Sequence, residues 1–201
     1  MKEMIKNASI RLVITLVAGC LLGLVNYATK DTIELRQTEQ KNKAYQDVFS
    51  DASTFEATEF TISDKLLNDM AEAGYGGASI DEVIVAKDAS GNALGNVYTV
   101  TSHEGYGGDI RFTVGIREDG TVNGISLLEI NETAGLGMNA EKVLVPQFAA
   151  KKVDNFAYTK TGAVSENEVD AISGATITTR AITNGVNMSL YYFQHGNGGE
   201  N

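Results

Sequence analysis

Residues 170–176 read Asp-Ala-Ile-Ser-Gly-Ala-Thr, and here the chain concentrates groups that could do chemistry. Two hydroxyls, Ser173 and Thr176, and one carboxylate, Asp170, bracket the small pair Gly174 and Ala175. Small residues let a second backbone or a ligand approach closely. A helical pattern follows, which puts Thr176 at or near a helix N-terminus. Unpaired N–H groups and the positive end of the helix dipole favour a phosphate there. The same residues would equally serve a plain helix start, with Ser173 or Thr176 as cap and nothing bound. Two other loops are rich in glycine. One is 103–109 (HEGYGGD), with Tyr106 at its centre; the other is 131–139 (NETAGLGMN), with Glu132, Thr133, Gly135 and Leu136.

These loops need a scaffold. Ser63 can cap a short helix that Gly74 ends. Residues 82–87 (EVIVAK) and 93–102 (ALGNVYTVTS) read as strands, separated by the turn cluster 88–92. Residues 110–117 (IRFTVGIR) and 121–130 (TVNGISLLEI) read as a hairpin with Asp119-Gly120 at its tip. Residues 140–151 look helical, with Pro146 interrupting or kinking them. A short strand is possible over 155–161, and 170–176 reads as a tight turn. Residues 177–193 form the closing helix, with Ile182, Val186, Leu190 and Phe193 near one face. Such a meander of antiparallel strands with flanking helices is α+β, not a doubly wound parallel sheet.

Composition narrows the function. The chain has 201 residues, one Cys, two His and a net charge of -10. A single Cys excludes an internal disulfide framework, a Cys-held zinc site and an iron–sulfur cluster. Net acidity argues against nucleic acid as a partner. The excess of acids reads as a solvated face, and neither His103 nor His195 is assigned a role. There is no G-x-G-x-x-G after a strand to hold a dinucleotide.

Apolar residues cluster at the N-terminus. Residues 12–28 (LVITLVAGCLLGLVNYA) carry no charge and approach the length that spans a bilayer. Lys2, Lys6 and Arg11 precede them, which puts the N-terminus in the cytoplasm and the rest on the far side. Three of the 16 basic and one of the 26 acidic residues lie before the span, so the remainder carries a net charge of about -12. A permanent anchor, a cleaved signal peptide and a lipoprotein signal all fit; Val17-Ala18-Gly19-Cys20 resembles a lipobox. The anchor is preferred, because residues 21–25 stay apolar after Cys20 and the run exceeds a usual signal core. Residues 32–49 have helix formers, mixed charge and a weak apolar stripe. The resulting organisation is 1–29 cytoplasmic N-terminus and transmembrane anchor, 30–60 juxtamembrane helix or stalk including a polar connection over 50–60, 61–194 ligand-binding domain, and 195–201 disordered tail.

Asp-x-x-Ser-Gly-Ala-Thr resembles the flavinylation motif of the FMN-binding domain family. The whole chain is similar to one branch, the G subunits of Rnf ion-translocating ferredoxin:NAD+ oxidoreductases, and to the C subunits of Na+-translocating NADH:quinone oxidoreductases. Four points carry the likeness in order behind one apolar span: GYGGDI (105–110), Asp119-Gly120, ETAGLG (132–137) and DAISGAT (170–176). The family more often has Pro where Ala134 stands; this loosens the loop but removes no ligand atom. The resemblance implies FMN joined through its phosphate to the Thr176 hydroxyl. It implies that Asp170, Ser173, Gly174 and Ala175 belong to the cofactor site, and that a separate flavin transferase, using FAD as FMN donor, reads a motif including Asp170. It implies ring contacts from Glu132, Thr133, Gly135 and Leu136, with Tyr106 stacking nearby. It further implies an electron-carrying subunit of a multi-subunit Rnf complex in the bacterial cytoplasmic membrane, inactive alone. A stand-alone exported flavin protein and a non-redox anchored binding module are the alternatives.

Overall fold

The computed structural model describes residues 2–196. Helix α1 (Lys2–Val48) opens the chain. Within its portion Lys2–Lys30 an 18-residue window has a mean hydropathy of 2.2 and none of that window is buried, so the portion is long and apolar enough to cross a membrane. Two compact units divide the chain, one through Lys41 and one from Asn42 onward.

The second unit is built on a five-stranded antiparallel sheet. Strands β1 (Thr54–Thr58), β2 (Ala78–Lys87), β3 (Ala93–Ser102), β4 (Ile110–Arg117) and β5 (Val122–Ile130) lie side by side in chain order. Side chains alternate across a strand, so β3 feeds both faces. Tyr98 and Val100 enter the main core beneath the closing helix α4 (Thr176–His195), which packs on β2, β3 and β4. Val97 points the other way. There it meets Tyr45 and Val48 of the last turns of α1 and Phe49 just beyond them, together with Ile84 and Ala86 of β2.

Helix α2 (Asp64–Glu72) starts as the sequence predicts: Ser63 accepts a hydrogen bond from the Leu66 N–H. The β4–β5 hairpin is also as read. Asp119 accepts from the Thr121 N–H at 2.9 Å, and Gly120 takes φ +85.

Four expectations need correction. The polar connection over 50–60 contains β1, which pairs with β2 from Thr54↔Lys87 to Thr58↔Val83. The globular unit accordingly starts before residue 61. Residues 140–151 are not one helix: α3 (Ala140–Val143) is a single turn and Val145–Phe148 is a 3-10 turn, because Pro146 has no N–H to continue the ladder. The turn at 170 is preceded by a strand, β7 (Glu168–Asp170), which pairs in parallel with β6 (Ala157–Thr159). His195 ends α4 rather than beginning a tail; the remaining tail residues, 197–201, lie outside the described residues.

Candidate functional site

The 170–176 segment runs off the end of β7 and turns into α4. The Ala175 N–H donates to the Ile172 carbonyl at 2.9 Å. Gly174 takes φ +75, a left-handed conformation that glycine adopts without strain. Thr179, one turn into α4 and fully buried, locks this turn from beneath. Its Oγ1 accepts from the Ile172 N–H at 3.0 Å and donates to the Ala175 carbonyl at 3.0 Å.

Ala175 is the N-cap of α4, and no side chain caps the helix. Ser173 and Thr176 therefore do not fill the plain capping role. The first-turn N–H groups, on Thr176, Ile177 and Thr178, have no intrahelical acceptor by geometry and no side-chain cap. All three residues line a cavity of about 520 Å³.

Three segments far apart in sequence form that cavity. Gly174, Ala175 and Thr176 come from the turn, Glu132, Thr133, Leu136 and Gly137 from the second loop, and Tyr106 from the first. Leu136 and Ile177 are 40% and 43% exposed and give the cavity an apolar wall. A Cβ at Gly174 would stand 3.0 Å from Leu136 Cδ2, so the two loops touch. A Cβ at Gly137 would stand 2.6 Å from Thr178 Oγ1 and 2.7 Å from Glu132 Cβ; only glycine fits there.

Seven residues singled out from the sequence thus meet at one place: Tyr106, Glu132, Thr133, Leu136, Gly174, Ala175 and Thr176. Three others do not line it. Gly135 takes φ +79, and its carbonyl accepts from Asn139 Nδ2 at 2.7 Å, which shapes the loop. Ser173 is exposed on the turn. Asp170 faces the 159–165 loop, where Oδ1 accepts the Ala163 N–H at 2.6 Å. Gln147 grips the Asp170 backbone from both sides, accepting its N–H at 2.7 Å and donating to its carbonyl at 3.1 Å.

Glu132 also has a partner within the protein. Its Oε1 accepts the Tyr106 N–H at 2.8 Å and approaches the Gly107 N–H at 3.3 Å. The carboxylate is engaged by protein. His103 Nδ1 lies 3.0 Å from Asp109 Oδ1 across the base of the same loop. Glu104 accepts from Asn184 Nδ2 of α4 at 2.8 Å.

Sequence reasoning missed Gly137, Ile177, Thr178 and Thr179. Gly137 closes the ETAGLG motif, and Ile177 and Thr178 directly follow DAISGAT. Thr179 carried one signal: a hydroxyl four residues after Ala175 can reach back to its carbonyl.

The arrangement fits a phosphorylated ligand with a flat ring. Its volume lies within the roughly 300–1,000 Å³ usual for small-molecule sites. Uncapped helix N–H groups suit a phosphate. A leucine, an isoleucine and a tyrosine suit a ring. Among the described residues, no three His, Cys, Asp or Glu side chains are grouped to hold a metal ion.

The signature of the FMN-binding domain family matches residues 105–191, which include all three cavity segments. The chain is 34% identical to the G subunit of the Na(+)-translocating ferredoxin:NAD(+) oxidoreductase complex of Acetobacterium woodii, over 96% of this chain and 93% of that one. It is 30% identical to the G subunit of the ion-translocating oxidoreductase complex of Methanosarcina acetivorans, over 95% of each. Among solved structures it resembles the C subunit of the Na(+)-translocating NADH-quinone reductase from Parabacteroides distasonis. There the TM-score is 0.52 at 21% identity, over 84% of this chain and 97% of that one. That likeness speaks for the fold.

Proposed function

The chain belongs to the G-subunit family of ion-translocating oxidoreductase complexes, and from that premise we propose that it carries electrons through FMN esterified to Thr176. Its FMN-binding domain supports a flavoprotein role in electron transfer. The observation that carries the finer reading is the uncapped start of α4. Thr176 opens that helix at the cavity, with a side-chain hydroxyl that no cap hydrogen bond engages.

Each residue then has a task. Thr176 Oγ1 would hold the flavin phosphate as an ester. The N–H groups of Thr176, Ile177 and Thr178 would stabilise the charge that the ester retains. A helix N-terminus contributes roughly 0.3–1 kcal/mol to an anion at an exposed site. That is too little to retain a cofactor where no free pool replaces it, so the covalent bond matters. Leu136, Ile177 and Tyr106 would wall the ring and exclude water from its face. Gly137 and Gly174 keep the walls close enough to do so. When bound, the flavin supplies reversible uptake and release of electrons. Nothing in the sequence suggests a site for NAD+ or ferredoxin, so the protein would pass electrons between other centres of its complex and be inactive alone.

Asp170 would act on attachment rather than on the ring. It is exposed, and it orders the loop beside the turn that a flavin transferase using FAD must read. The span Lys2–Lys30 would anchor the chain in the cytoplasmic membrane, with other subunits of the complex as neighbours. Lys2, Lys6 and Arg11 favour a cytoplasmic N-terminus and an FMN domain on the far side.

A denaturing gel tests the reading. The full chain, coexpressed with a flavin transferase and extracted from membranes, should keep flavin fluorescence on its own band. In the native extract the flavin absorbance should bleach with reductant and return with oxidant. A colourless chain made beside an active transferase would overturn the proposal.

A further inference from the structure

Tyr106 combines a closely held backbone with a free side chain. Its ring is 71% exposed, yet the loop around it is fastened at several points. His103 and Asp109 meet across the base at 3.0 Å, and Glu104 is tied to Asn184 at 2.8 Å. A Cβ at Gly107 would lie 1.9 Å from the Asn131 carbonyl oxygen. A Cβ at Gly105 would lie 2.1 Å from the Gly108 carbonyl oxygen and 3.0 Å from Glu132 Oε1. The backbone therefore lies hard against the segment that carries Glu132, with no room for side chains between. A ring left this exposed gains little from burial. Its place beside the cavity is what the fastening secures.

Glu132 is the centre of that fastening. One oxygen receives the consecutive N–H groups of Tyr106 and Gly107, at 2.8 and 3.3 Å. Successive backbone N–H groups converging on one anionic oxygen form a small anion nest, and hydrogen bonds to a charged acceptor are the stronger kind. On its other side Glu132 packs over Gly137. Its Oε2 would stand 2.9 Å from a Cβ there, and Thr178 Oγ1 would stand 2.6 Å from the same point. A single side chain thus joins the loop bearing Tyr106 to the loop bearing Leu136.

We propose that Glu132 is a positioning residue, whose carboxylate latches the 103–109 loop so that the Tyr106 ring forms one wall of the flavin site. Glu132 acts through Tyr106 and not on the ring of the cofactor. This deepens the flavin reading above and rests on it.

The test has two arms. The first needs no flavin. In the full chain carrying Thr176→Ala, hydrogen exchange is followed at the Tyr106 and Gly107 amides. Adding Glu132→Ala should speed both by at least about tenfold, because both lose a charged acceptor. Glu132→Gln keeps an acceptor oxygen without the charge and should fall between. If the Ala variant does not fold, the Gln variant decides: unchanged exchange at both amides overturns the latch. The second arm uses chains shown by mass to carry flavin. An aromatic ring against a flavin quenches its fluorescence. Fluorescence per attached flavin in Glu132→Ala should rise to the level of Tyr106→Ala, and the double variant should rise no further. Fluorescence that stays at the wild-type level, or a double variant brighter than either single, overturns the positioning role. A wild-type chain without flavin mass would instead refute the flavin reading, while the amide arm still decides the latch.

Discussion

Thr179→Val removes one oxygen from beneath the 172–175 turn and nearly preserves volume. Two bonds go with it: the one accepted from the Ile172 N–H and the one donated to the Ala175 carbonyl. The carbonyl keeps the helical N–H of Thr179 at 3.0 Å. The Ile172 N–H has no such substitute. Residue 172 is 3% exposed, so its N–H is left buried and unpaired. An orphaned buried donor costs about 1–3 kcal/mol. Valine and threonine have similar helix propensity, so little offsets this loss. At about 2–4 °C per kcal/mol for a unit of this size, the midpoint should fall by about 2–12 °C. Calorimetric unfolding of the full chain in detergent reads this directly. Thr183→Val is the control. Its hydroxyl donates only to the Thr179 carbonyl within the helix, at 2.8 Å, so its loss orphans no N–H. That variant should lose less than about 2 °C by the same conversion, and Thr179→Ser should recover most of the loss at 179. Equal losses at 179 and 183, or no loss at 179, would refute the claim that Thr179 locks the turn.

Asn187→Leu should be at least as costly as Thr179→Val. The buried Asn187 amide accepts the Phe156 N–H at 2.7 Å and donates to the Phe156 carbonyl at 2.8 Å, so truncation orphans both; about 3 kcal/mol in chemical denaturation is expected. The Val164 N–H, followed by that of Ser165, holds the Glu168 carboxyl below the ordinary carboxylate range. A carboxyl lowered in the folded state stabilises it above the unfolded pKa, and the contribution fades as pH falls through the folded one. Amide exchange at Val164 and Ser165, corrected for intrinsic pH dependence, should therefore lose protection below about pH 4.3, and Glu168→Gln should abolish that transition. A pH-independent loop would contradict this.

Much of the scaffold is legible because its strands are rich in β-branched and aromatic residues and bounded by turn residues. Residues 93–102 and 110–117 read as strands and are β3 and β4 with those bounds. Strand β1 escapes notice because it is an edge strand with four of its five residues exposed, and only Phe55 gives it an apolar anchor. Three-residue β7 is too short for any period to declare itself. In the site, local chemistry is readable and convergence is not. The turn and the start of α4 follow from Gly174 and Ala175. Nothing local tells that Glu132 binds the backbone at Tyr106, 26 residues earlier, because that contact depends on how β4 and β5 bring their loops to one end of the sheet. Thr179 is hidden for another reason: a threonine inside a helix reads as a weak helix former, and its value lies in a bond across the turn.

The central claim is an ester at one hydroxyl, and the intact mass of the full chain tests it most directly. Wild type, Thr176→Ser and Thr176→Ala would each be coexpressed with a flavin transferase, extracted from membranes and weighed after denaturation. The expected result is a gain of one FMN less one water on wild type, a partial gain on the Ser variant and none on the Ala variant. The same gain on Thr176→Ala, or no gain on wild type with an active transferase, would contradict it.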